Sequence, residues 1–132
     1  MGRLYAFAGK WRDVNLSKGG FTFAAARFLP ETMQSFDHDV LGTLTYSSGR
    51  EALIADIAKV HAELLFIHPF REGNGRTARV LANLMARGAG HAPPDWSLMG
   101  DDEFDAYVKA VQAAAGQDYA PMTRLIRALM PA

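Results

Sequence analysis

Between Leu53 and Ile67 apolar side chains recur at helical spacing, and two residues later Pro69 forbids the pattern to continue. Leu53, Ile54, Ile57, Val60, Leu64, Leu65 and Ile67 make one broad stripe, so the stretch reads as an amphipathic helix. Ser48 and Glu51 supply a capping box at its start. Its end falls near Ile67, because the proline ring disfavours helical geometry at His68. A second helix follows almost at once, from about Gly75 to Arg87, with Val80, Leu81, Leu84 and Met85 expected to face inward. Gly88 and Gly90 end it.

The flanking sequence adds helices and one hairpin. Residues 1–8 look like the last turns of a helix that Gly9 terminates. From Val14 to Ala24, two short β-prone runs surround Lys18-Gly19-Gly20, as in a tight hairpin. Pro30 and Glu31 open a helix whose Met33, Phe36, Val40 and Leu41 share a face. Pro93-Pro94 keep a connector extended, Asp101 caps a helix through about Ala114, and Asp118 caps a last one through about Leu129, with Pro121 in its first turn. No repeat or low-complexity linker interrupts the 132 residues, which predicts one domain over 1–132. The expected class is all-α, a bundle of about five to six helices with a small β-hairpin.

Composition narrows the partners. Zero formal net charge disfavours a general nucleic-acid surface. The absence of cysteine excludes disulfides and thiolate metal sites. The first residues hold too short an apolar run for a signal peptide, and no stretch is long enough to span a membrane. A soluble cytoplasmic protein is expected.

The chemistry concentrates in the corner between the two helices, His68 to Arg79, HPFREGNGRTAR. A Gly-Asn-Gly turn leading into a helix offers unpaired N–H groups and the positive end of the helix dipole, which suits an anion. Gly73 and Gly75 let backbone approach phosphate oxygens, and Asn74 can donate a side-chain hydrogen bond to the same group. Arg76 and Arg79 share a helix face, where phosphates would make two adjacent arginines favourable. Glu72 could hold a divalent metal, and His68 could accept a proton near neutral pH. Phe70 is read as anchoring the loop to the core.

Other signatures fail. No GxxxxGK[ST] loop is present, and GNGRTA follows a helix instead of the buried strand that a dinucleotide fingerprint requires. There is no HExxH; His61 reads as a helix-face residue, and His38 and His91 as surface. Ser47 and Ser48 have no base at catalytic spacing.

HPFREGNGRTAR resembles the Fic signature, His-Pro-Phe-x-(Asp/Glu)-Gly-Asn-Gly-Arg-x-x-Arg, at every specified position. The segment YAFAGKWRDVNLSKGGFTFA is similar to the family's Ala-Gly-x-(Tyr/Phe/Trp)-Arg segment and flap, and DYAPMTRLIRAL to its last helix. The resemblance implies protein adenylylation, the transfer of AMP from Mg-ATP to a Ser, Thr or Tyr hydroxyl of a target protein. On that resemblance His68 is the base and Glu72 holds Mg2+ between α- and β-phosphates. Gly73, Asn74 and Gly75 form the anion hole, Arg79 grips the γ-phosphate and Arg76 supports the loop and phosphates. Lys18, Gly19, Gly20, Phe21, Thr22 and Phe23 belong to the flap that clamps the target by strand addition.

Three departures from the family pattern stand out. This chain starts within a helix that relatives carry in full. Tyr107 matches the adenine-side tyrosine, but Ala115 stands where an asparagine is expected. The inhibitory Ser/Thr-x-x-x-Glu-Gly/Asn has only Ser47 to Glu51 at that spacing, followed by Ala52, so inhibition is expected from a separate antitoxin-like protein or from sequence absent here. Two alternatives stay open: a related enzyme moving another nucleotide or phosphate-containing group, and a non-catalytic nucleotide-binding module.

Overall fold

The computed structural model describes residues 11–18, 21–46, 49–70 and 72–131. The expected N-terminal helix, the Gly19-Gly20 turn, Ser47, Ser48 and Arg71 lie outside them. Two short strands, β1 (Ser17–Lys18) and β2 (Phe21–Thr22), pair antiparallel with Ser17 opposite Thr22. Five α-helices follow among the described residues: α1 (Leu29–Ser35), α2 (Arg50–Ile67), α3 (Asn74–Gly88), α4 (Asp101–Ala114) and α5 (Ala120–Leu129). The all-α class and the hairpin are as the sequence predicts.

Helix α2 is the centre, because α3, α4 and α5 all pack on it. That demand explains its composition. Leu53, Ile54, Ile57, Val60, Leu64, Leu65 and Ile67 are all buried, and so are Ala58, Ala62, Asp56 and His61 on its other sides. The Asp56 carboxylate is satisfied by the Thr45 hydroxyl at 2.9 Å and by the N–H groups of Thr45 and Tyr46. It thereby ties down the loop before the helix. From α1 the chain continues through a wide turn at Phe36–Val40, and Phe36 and Val40 are buried as their shared face requires.

Two expectations need correction. The N-cap of α2 is Gly49, and it makes no side-chain cap hydrogen bond. Glu51 pairs with Arg127 of α5 at 2.8 Å, a charged partner brought there by tertiary packing; Ser48, the other half of the expected box, lies outside the described residues. On α3, Val80 and Leu84 are 51% and 61% exposed, while Ala78, Ala82 and Ala86 are fully buried. Small side chains at four-residue spacing let the α3 backbone lie close against α2. Leu81 and Met85 pack on the core beside them as expected, whereas Val80 and Leu84 face outward.

Candidate active site

The elbow between α2 and α3 is built on a left-handed residue. His68 has φ 52° and ψ 58°, a conformation that turns the chain sharply and costs a non-glycine residue about 1–2 kcal/mol. Local contacts hold it there. Its N–H donates to the Leu64 carbonyl at 2.9 Å, and ring Nδ1 lies 3.0 Å from the Leu65 carbonyl. A carbonyl can only accept, so Nδ1 carries the hydrogen and the lone pair of the neutral ring belongs to Nε2. The Phe23 ring, just past β2, stacks on the imidazole at 3.9 Å and 11°.

Arg12 locks the same corner from beneath. Only 3% exposed, its guanidinium donates to carbonyls on two separate stretches of chain. Nε reaches His68 at 2.6 Å and one Nη reaches Val14 at 2.8 Å; the other reaches Ile67 at 3.0 Å and also Ala24. The Arg12 N–H adds a bond to Pro69 at 2.8 Å. Burial lowers its pKa. The hairpin and the end of α2 are thus clasped together by one cation.

The turn that follows starts α3. Gly73, the N-cap, has φ +81°, a value that side-chain-bearing residues rarely adopt. The first helical bond runs from Thr77 N–H to Gly73 C=O at 2.9 Å, so the N–H groups of Asn74, Gly75 and Arg76 have no acceptor within the helix. A Cβ on Gly75 would meet the Arg79 guanidinium at 3.6 Å, which places that cation over the helix start. Asn74 departs from expectation. It is 4% exposed, and its amide closes on Phe70, accepting from the N–H at 2.9 Å and donating to the C=O at 2.7 Å. Its side chain is committed to shaping the loop, whereas its N–H remains at the helix start.

These groups border a cleft of about 470 Å³. His68, Glu72, Gly73, Gly75 and Arg79 form one end; Phe104, Tyr107, Val108, Val111 and Gln112 of α4 form the other. One end therefore suits an anion and the other a flat apolar ring. Glu72 is exposed, and no cluster of three acidic or histidine side chains gathers among the described residues. That donor set fits a hard cation that shares one carboxylate with phosphate oxygens.

Behind the cleft, His61 of α2 is 1% exposed and hydrogen-bonds the Tyr107 hydroxyl through Nε2. Its Nδ1 lies 3.2 Å from the Ala78 carbonyl, and Trp96 stacks on the ring at 5.1 Å. Burial pushes its pKa down to about 4, and the Arg79 charge acts in the same direction. Burial likewise raises the Tyr107 pKa to about 12, against the pull of Arg79.

The sequence matches the family model described as Fic/DOC family over residues 1–86. The chain belongs to the Fic/DOC family. It is 27% identical to the "Probable protein adenylyltransferase" of Sinorhizobium fredii, over 96% of this chain and 65% of that protein. It is 33% identical to "Protein adenylyltransferase Fic" of Nematostella vectensis, over 90% of this chain and 26% of that protein. It therefore spans less than two thirds of the length of either relative. Among solved structures, the N-terminal Fic domain of a VirB-translocated effector of Bartonella sp. 1-1C superposes with a TM-score of 0.75 at 21% identity, covering 96% of this chain and 66% of that one. An effector of Bartonella tribocorum, solved with bound AMPPNP, gives 0.64 at 21% identity, covering 96% and 67%. Both likenesses concern the fold.

Not every residue expected of a Fic/DOC site comes to the cleft. Arg76 is exposed and lies outside its lining. Ala115 follows the end of α4 and does not border it, whereas Gln112 does. Tyr107 presents its ring, but its hydroxyl is turned to His61. Of the hairpin, Phe23 reaches the cleft. Arg12, His61 and Gln112 were missed as site residues. The tryptophan-arginine pair at Trp11-Arg12 was the available signal for Arg12; His61 and Gln112 carried none.

Proposed function

We propose that this protein is a protein adenylyltransferase that moves AMP from Mg-ATP to a hydroxyl side chain of a target protein and releases pyrophosphate. The observation that carries this reading is the His68 tautomer, which directs a basic nitrogen at the elbow where the N–H groups of α3 begin. The target hydroxyl oxygen attacks the α-phosphorus as its proton passes to His68 Nε2. The bond from that phosphorus to the α–β bridging oxygen breaks, and pyrophosphate leaves with the electron pair. The N–H groups of Asn74 and Gly75 hold phosphate oxygens, and Arg79 takes the γ-phosphate. Glu72 would hold Mg2+, which when bound neutralises phosphate charge. The apolar wall of α4 takes the adenine, and the hairpin offers a strand edge to the target segment. Adenylyltransferase relatives and a nucleotide-bound neighbour of the same fold support the assignment.

The test is incubation with α- or γ-labelled ATP, Mg2+ and a bacterial lysate, beside His68→Ala. Protein label from α-labelled ATP should appear and fall at least a hundredfold in the variant, about the scale of a general base. Label from γ-labelled ATP alone would overturn the reading. Retained ATP binding without transfer would favour a binding module.

A further inference from the structure

A half-buried aromatic ring lies on the base itself. Phe23 follows β2, and its ring sits on the His68 imidazole with centroids 3.9 Å apart and planes 11° from parallel. We propose that Phe23 is a positioning residue: its ring fixes the plane of the His68 imidazole, and so the line along which Nε2 meets the proton of the target hydroxyl. The inference rests on the transferase reading above, and it gives the hairpin a second task besides receiving the target.

The use of such a support follows from the freedom of the side chain. Rotation about the Cβ–Cγ bond of histidine is loosely defined, because an sp3–sp2 torsion has broad minima. The hydrogen bond from Nδ1 to the Leu65 carbonyl anchors one edge of the ring. One such bond lets the ring tip about the line joining its two ends. A flat surface laid on the face removes that freedom. It leaves the chemistry open, since the Nε2 lone pair lies in the ring plane and the stack covers only a π face. A leucine could fill the same space but offers no flat surface.

The backbone keeps the two rings in register. Phe23 N–H donates to Leu16 C=O at 3.0 Å, and the Arg12 guanidinium donates to the carbonyls of both Ala24 and His68. One planar cation therefore ties together the stretches that carry the stacked rings. The strand register extends the arrangement outward. Lys18 pairs with Phe21, and the bond from Phe23 to Leu16 lies two residues further along the same ladder. The N–H and C=O of Thr22, between them, then face the outer edge of the hairpin. A segment added at that edge would bond to the residue next to Phe23. Target and base are thus referred to the same short piece of chain.

Phe23→Leu removes the flat face and keeps apolar bulk, whereas Phe23→Tyr keeps the ring. With saturating Mg-ATP and a bacterial lysate as acceptor, Phe23→Leu should slow transfer of the α-label about tenfold, while Mg-ATP affinity by calorimetry stays within about twofold. Phe23→Tyr should hold both rate and affinity within about twofold of the parent protein. The second readout is the base itself and needs no nucleotide. In the parent, the Phe23 ring current should shift the His68 ring-proton signals in NMR upfield, their assignment coming from their loss in His68→Ala. Phe23→Leu should move them downfield, and Phe23→Tyr should leave them in place. Unmoved His68 signals in Phe23→Leu, undiminished transfer, or a matching loss of Mg-ATP affinity would each overturn the positioning role. Responsive His68 signals in a parent protein that transfers no α-label would sink the transferase reading and leave the Phe23 support of the imidazole standing.

Discussion

Two histidines seven positions apart have opposite surroundings. His68 sits at the cleft with its backbone turned left-handed, while His61 is sealed under Trp96 and against Tyr107. The sealed one should govern part of the acid stability. Its folded pKa of about 4 lies below the ordinary value of 6.5, so between these values the unfolded chain binds the extra proton. Stability should therefore be full above about pH 6.5, fall as pH drops toward 4, and level off below it, with a total loss of about 3 kcal/mol. Urea unfolding from pH 7 to pH 4 measures this, and His61→Gln should flatten the slope. At this scale the sequence was only partly legible. His68, Glu72, Gly73 and Gly75 were read correctly as neighbours, because they are adjacent in the chain and border one cleft. His61 reads as a helix-face residue in the sequence because its partners, Trp96 and Tyr107, arrive from distant positions. The Asn74 side chain reads as an anion donor because nothing local reveals that Phe70 takes both ends of its amide.

Among elements, the joint between the hairpin and α2 depends on one side chain. Arg12 serves carbonyls at Val14 and Ala24 on one side and at Ile67 and His68 on the other. Arg12→Leu should leave these acceptors without their donor and cost about 2–4 kcal/mol, since hydrogen bonds to a charged group are worth roughly 1.5–3 kcal/mol each and water recovers part of the loss. Hydrogen exchange should speed up at Phe23 N–H, which now donates to Leu16 C=O at 3.0 Å. Unchanged exchange there would mean that the hairpin is held by other contacts. The seam between α2 and α3 gives a second test. Ala82→Leu should destabilise the fold by about 1–3 kcal/mol by forcing the helices apart, while Val80→Ser on the exposed side should stay within about 0.5 kcal/mol. Reversed effects on the urea midpoint would contradict the packing. The inward reading held for Leu81 and Met85, which pack on the core, and failed for Val80 and Leu84, because hydrophobicity rewards size and close helix contact rewards its absence. The N-cap of α2 falls on Gly49 and not on Ser48, and nothing local to the sequence shows that Arg127 reaches Glu51 from across the bundle.

In the whole molecule, placement along α2 separates tasks. Glu51 and Arg127 join near its start, about 24 Å along the axis from the Ile67 end that carries the elbow. The glutamate with inhibitory-like spacing is thus engaged with Arg127 at the start of α2. The helical count and most boundaries were legible because the apolar period and Pro69 mark them. The cleft as a volume was not, since its second wall is contributed by α4 after a long connector. That division of the cleft has its own consequence. On the proposed reading the residues that face phosphate lie between His68 and Arg79, and the apolar wall lies between Phe104 and Gln112. Exchanging Phe104, Val108 or Gln112 would alter which molecule is held without disturbing the corner that reacts with it. On the proposed reading, fuel choice and reaction type are inherited on separate stretches of chain, and either can drift while the other stays fixed.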